Sequence, residues 1–216
     1  MILRYFDKLR TDPIEFLILI GTFMMALVIG IAIHEFSHAA ASYSQGDSTA
    51  KRLGRLTLNP LAHLDLTGTL LLLFVGFGWG KPVPVNHNML KNGKISSAFV
   101  AFAGPLSNIL LAFVLGLLFK WELLETTSLL ASFFILLIQL NIVLAIFNLL
   151  PIYPLDGSHL LEAIIPKQFS SYVPLIHRFG PLLLLSIIIL SYITEWDILG
   201  KTIGVVVQYF TSMLIG

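Results

Sequence analysis

Three stretches of this chain, Phe16 to Ile33, Ser97 to Phe119 and Thr126 to Leu155, contain no Asp, Glu, Lys or Arg. A helix crosses a bilayer with roughly 20 apolar residues, and these runs are of that order or longer. Open sheet edges or loops facing hydrocarbon would strand their N–H and C=O groups, so such runs are buried as helices. The first continues helically to about Ser44. Pro151 and Pro154 end the third near Leu150, because proline removes a helical N–H and restricts the residue before it. Shorter uncharged runs follow at Leu66 to Gly80, Phe179 to Thr194 and Thr202 to Gly216. The run from Leu66 to Gly80 holds Gly68, Gly76, Gly78 and Gly80 and is too short for a straight span. It reads as a half-membrane element, tolerable where its backbone is buried in protein. The fold expected is an all-α polytopic membrane protein with about five to six transmembrane helices plus a re-entrant or β-like loop element.

Composition agrees and removes several functions. Of the 216 residues, 56% are hydrophobic and 12% charged, about half the charge of a soluble domain. A net charge of +1 and scattered basic residues exclude a nucleic-acid surface. With no cysteine there is no disulfide, thiolate nucleophile or cysteine-bound metal. The segment after the N-terminus lacks a small-residue cleavage site, so the first span is expected to be retained. If Leu66 to Gly80 re-enters, Lys51, Arg52, Arg55, Lys81, Lys91, Lys94, Lys167 and Arg178 share one side. Fewer basic residues, Arg4, Lys8, Arg10, Lys120 and Lys201, take the other. The positive-inside rule then places the end of the first span near the cytoplasm. The expected location is a cell membrane, crossed several times, with the active site toward the cytoplasm.

The chemistry lies in AIHEFSHAA, Ala32 to Ala40. On a helix, residues four apart share a face, so His34 and His38 can offer ring nitrogens to one ion with Glu35 beside them. A charged group facing lipid costs several kcal/mol, which makes an intramembrane cluster a functional site by default. The competing reading is a set of interior polar residues bonded across helices. A catalytic zinc takes three protein ligands and a water, and here the third must be a distant carboxylate or histidine. Asp156, just beyond the proline break in NLLPIYPLDGSHLL, is such a carboxylate; it could equally be an N-cap for the following helix.

HEFSH, AGPLSN (Ala103 to Asn108) and NLLPIYPLDG, in this order, resemble the site-2 proteases, intramembrane zinc metalloproteases. The resemblance runs from the first span to about Leu161. It implies one Zn2+ per chain held by His34, His38 and Asp156, Glu35 as catalytic base, and Asn148 near the catalytic centre as a substrate or oxyanion contact. NPLAHLDLTGT (Asn59 to Thr69) and GWGKPVPVN (Gly78 to Asn86) also look like segments of compact members, with Leu66 where proline is expected. PDZ and CBS domains of larger members have no counterpart, which suggests a minimal form. Residues 1–216 are read as one membrane-embedded domain, with a catalytic core at about 14–165 and C-terminal helices at about 173–216.

The implied activity is endopeptidase cleavage within transmembrane segments of membrane proteins in the lipid bilayer. The alternative is a non-enzymatic membrane protein that binds or transports metal, and Glu35 beside a three-ligand site discriminates against it. A substrate helix must unwind before its peptide bonds are reachable. In GWGKPVPVN, Pro82 and Pro84 remove donors from one edge, leaving Lys81, Val83 and Val85 to pair with an unwound substrate strand; the same prolines equally suit a stiffened loop at the membrane surface. His63 could gate access or bind the backbone, and His159 could replace Asp156 as a ligand. His87 and His177 read as interfacial. Gly104 and Asn108 share a helical face and read as packing and an interhelical hydrogen bond.

Overall fold

The structure, a computed structural model, describes residues 6–75, 78–126, 128–194 and 198–216. Arg4, Glu195 and Asp197 at the expected membrane surfaces, and Gly76 of the expected half-membrane element, lie outside the described residues. Helix α1 (Phe6–Thr11) leads into α2 (Pro13–Ser44), which carries AIHEFSHAA. Asp12 caps α2, its carboxylate accepting the Glu15 N–H at 2.9 Å, and Pro13 occupies the first turn, where a missing N–H breaks no helical bond. After the short α3 (Thr49–Arg52) comes α4 (Leu66–Val75). At 1.5 Å per residue α4 is about 15 Å long, half a hydrocarbon layer. Helices α5 (Lys94–Lys120), α6 (Leu129–Asn148), α7 (Asp156–Ile164), α8 (Val173–Ile193) and α9 (Ile198–Ile215) complete the bundle.

No strand occurs among the described residues. Four segments are long and apolar enough to cross a membrane: Pro13–Ser44, Lys94–Lys120, Leu129–Asn148 and Gln168–Ser191. The bundle is apolar outside as well as inside. Leu17, Phe113, Val114, Leu183 and Val205 are each at least half exposed, a surface that suits hydrocarbon and not water.

Helix α5 is the central element and packs against α2, α6, α7 and α9. Ala112, Phe119, Ala131, Ile138, Ile142 and Val207 form the core where α5, α6 and α9 meet. In lipid there is little hydrophobic drive for helices to associate, so small residues that permit close approach carry the packing. Gly30 of α2 is one of them. A Cβ there would lie 2.9 Å from Leu144 Cδ1 of α6.

The proline break acts as the sequence predicts, and α6 stops at Asn148. The chain then folds back tightly, because a Cβ on Gly157 would press into the Leu149 and Leu150 carbonyl oxygens. This turn returns Asp156 to the interior of the bundle.

Candidate metal centre

His34 and His38 lie one turn apart on α2, and both are buried. Their Nε2 atoms are 3.0 Å apart. Asp156 Oδ2 stands 3.2 Å from His34 Nε2 and 3.3 Å from His38 Nε2. The three atoms form a nearly equilateral triangle, and these residues are the one such group of possible metal ligands among the described residues.

Hydrogen bonds determine which nitrogens point inward. His38 Nδ1 lies 2.7 Å from the Val100 carbonyl, so Nδ1 carries the proton and Nε2 presents its lone pair. For His34 the argument runs through two asparagines. Asn141 Nδ2 donates to the Leu137 carbonyl at 2.7 Å, which turns Asn141 Oδ1 toward Asn108. Asn108 Nδ2 donates to that oxygen at 2.6 Å and to the Gly30 carbonyl at 3.1 Å. Asn108 Oδ1 therefore faces His34 and accepts its Nδ1–H at 2.6 Å. Two main-chain carbonyls thus fix the tautomer of His34 through a buried amide chain.

The donor set fits a zinc ion. Two imidazole lone pairs and a buried carboxylate oxygen that accepts no hydrogen bond converge on one point. Such an arrangement is repulsive without a cation. Donors about 2.0 to 2.2 Å from a tetrahedral ion stand about 3.3 Å apart, close to the observed edges. The capping alternative for Asp156 is not realised, because Leu155 holds the N-cap position of α7 and Asp156 is the first residue of the helix itself.

The triangle opens on a cavity of about 530 Å³, also lined by Glu35, Val83, Asn148 and His159. Asn148 donates one amide hydrogen to the Leu144 carbonyl of its own helix at 2.9 Å, leaving the rest of its polar head for the cavity. His159 stands outside the ligand group, with Nδ1 3.7 Å from Glu162 Oε1. His177 holds the same Glu162 oxygen at 2.6 Å and stacks on Tyr153. His63 is fully buried away from the cavity, its Nε2 2.7 Å from the Thr57 carbonyl. It binds backbone, one of the two roles its position suggested.

The segment from Gly78 to Asn86 lies along the cavity, and two of the three N–H groups the sequence left for a substrate, those of Lys81 and Val83, have partners within the fold. Lys81 N–H donates to the His63 carbonyl at 2.8 Å, and the Arg55 guanidinium donates to the Lys81 carbonyl at 2.5 Å. Val83 N–H donates to Glu35 Oε2 at 2.9 Å. Asn86 N–H donates to Asp47 Oδ2 at 2.7 Å. Burial alone would raise the Asp47 carboxyl, but hydrogen bonds from Thr49 and Asn86, with Arg52 nearby, hold it below the usual carboxylate range. Alternation of edges was legible from the prolines. Which edge the fold would occupy was not, since every partner comes from an element distant in sequence.

The two asparagines are the functional residues the sequence reading underrated. An amide in the middle of an apolar span is costly unless bonded, and that signal was available at both positions. Asn108→Leu keeps the branching of the side chain, removes the His34 acceptor, and is expected to weaken zinc binding about 10-fold to 100-fold. Competition against a chelator checks this; unchanged affinity would mean that helix packing alone orients the ring.

Comparison with known proteins agrees with this geometry. The model of "Peptidase family M50" matches residues 122–187, which include Asn148 and Asp156. The chain is 38% identical over 200 residues to "Putative zinc metalloprotease YwhC" of Bacillus subtilis (strain 168), covering 88% of this chain and 91% of that protein. It is 28% identical over 200 residues to "Putative zinc metalloprotease Rip2" of Mycolicibacterium smegmatis, covering 87% of this chain and 75% of the relative. The protein of that name from Mycobacterium tuberculosis (strain H37Rv) is 26% identical over 197 residues, with the same coverage. No solved structure matches the chain.

Proposed function

The chain belongs to the site-2 protease family, peptidase family M50, and is an intramembrane zinc metalloprotease; from that premise we propose that His34, His38 and Asp156 hold its zinc and that Glu35 is its base. The observation that carries this reading is the triangle of convergent donor atoms, with an Asp156 oxygen buried and lacking any hydrogen bond.

Zinc bound there would polarise a scissile carbonyl and lower the pKa of water to about 7. Glu35, on the cavity wall, takes the proton of the attacking water and passes it to the leaving amine. Asn148, with part of its amide free, binds the substrate backbone beside the scissile bond. Asn108 and the Val100 carbonyl hold the two rings still. Leu27, Ile31 and Leu144 make the cavity wall apolar and limit water around the reacting groups.

Substrates are membrane proteins cut within the bilayer. We place residues 1–216 in one domain with five to six spans, α9 among them, and α4 entering the membrane halfway and returning. The excess of basic residues beside the end of α2 supports an active site facing the cytoplasm in a cell membrane.

The test is metal removal from the reconstituted protein. One zinc per chain, loss of cleavage of a transmembrane reporter on chelation, and recovery with stoichiometric zinc are the expected results. Cleavage that survives complete removal of zinc would overturn the assignment.

A further inference from the structure

Pro82 and Pro84 have no N–H, and a residue before proline is held extended. Between Lys81 and Val85, Val83 therefore carries the single backbone donor. The flanking anchors are fixed parts of the fold: the His63 carbonyl and Arg55 at Lys81, and Asp47 at Asn86. Val83 differs, because its partner is the Glu35 carboxylate, on the wall of the reaction cavity. Val85 also lines the cavity, and its N–H has no partner among the described residues.

A substrate helix unwound at this depth has carbonyls that have lost their helical donors, and each unpaired group costs several kcal/mol in an apolar setting. Val83 N–H and Val85 N–H are the donors this segment can present to them. One N–H cannot serve Glu35 and a substrate carbonyl at full strength at the same time. We propose that Val83 N–H is handed over: it restrains Glu35 in the resting enzyme and passes to a substrate carbonyl, releasing the base once a strand is seated. The handover rests on the protease reading above and adds to it a coupling between substrate seating and readiness of the base. No covalent step is involved. One hydrogen-bond acceptor replaces another, and the freed Oε2 of Glu35 turns to the attacking water. Val83 is accordingly a positioning residue, acting through Glu35.

Two measurements test it. The first needs no activity. The stretch from Lys81 to Val85 contains only three exchangeable amides, so hydrogen exchange resolves Val83 within one short peptide. Glu35→Ala is expected to speed Val83 exchange at least tenfold while Asn86, held by Asp47, stays unchanged. Equal Val83 rates in the two proteins would overturn the restraint.

The second measurement replaces the Val83 amide by an ester, using the α-hydroxy analogue of valine, with Val83→Pro as a second donor-free variant. The probes are a membrane-protein reporter with one transmembrane segment, and an N-acyl anilide, whose one carbonyl is the scissile one and which offers no second acceptor to Val83. The expected split is a KM about tenfold higher on the reporter and a kcat severalfold higher on the anilide. An equal fall in kcat on both probes would show a donor that only holds Glu35 in place, and the handover would be discarded. No change on either probe would discard it too. Inactivity of the native enzyme on both probes is the outcome that removes the protease reading itself, while the exchange result still decides the restraint.

Discussion

Glu35→Gln is expected to keep one zinc per chain and to lower the rate of cleavage by about 10²-fold to 10⁴-fold, the range for loss of a general acid–base group. The side chain keeps its shape, and its amide oxygen can still accept from Val83 N–H. The proposed zinc ligands are His34, His38 and Asp156, so the ion is expected to stay. What is lost is the ability to take a proton. Metal content and the rate on a transmembrane reporter, measured on one preparation, separate the two effects. In cells, fragments ending inside transmembrane segments should disappear with the variant while their precursors accumulate, and mass spectrometry of those fragments identifies the natural substrates. A variant that loses zinc would move Glu35 from base to ligand. One that holds zinc and cuts at the native rate would exclude it from both roles.

The second large effect is steric. Gly104 of α5 lies against the two ligand rings, and a Cβ there would sit 2.7 Å from both Nε2 and Cε1 of His34 and in still closer contact with His38 Nε2. Those Nε2 atoms are the ones that converge with Asp156 Oδ2. Helix α5 cannot move away to make room, because Asn108 and the Val100 carbonyl tether it to the same two histidines. Gly104→Ala should therefore displace the rings and weaken zinc binding by at least about 100-fold, at the upper end of losses seen when ligand support is removed. Gly21→Ala, on α2 with nothing within 4 Å of the added carbon, is the matched control and should bind zinc normally. Chelator competition on both proteins reads the difference. Equal affinities would show that α5 can yield at this point.

How much of this was legible in the sequence depends on how local each signal is. The long helix through HEFSH, its end at Ser44, and the break after Asn148 follow from charge-free runs and two prolines, and all are present. The ligand pair on α2 is a spacing within one helix. Asp156 was found as a carboxylate beyond a break, but sequence alone left it between ligand and cap until the turn around Gly157 was seen. Gly104 was read as close packing between helices, which is correct; that the surface packed against is a pair of imidazoles depends on the rotation of α5 about its axis. The Asn108–Asn141 chain joins residues of different helices, and no spacing rule reaches across them. The internal partners of the GWGKPVPVN edge were hidden for a related reason. Prolines decide which residues keep an N–H, but the acceptors come from Glu35 and His63, far away along the chain.

The amide chain from Leu137 through Asn141 and Asn108 to His34 also limits how this bundle can move. Each amide offers hydrogen on one side and oxygen on the other, and the main-chain carbonyls of Leu137 and Gly30 pin the two amides. Sliding α6 along α5 by a single residue would part Asn141 Oδ1 from the Asn108 amide and leave both groups unmatched in an apolar interior. Translation of α2, α5 and α6 past one another is thereby blocked. Conformational change in the working enzyme must be carried by parts outside that lock, and His34 and His38 ride through it with α2 and α5 as one block.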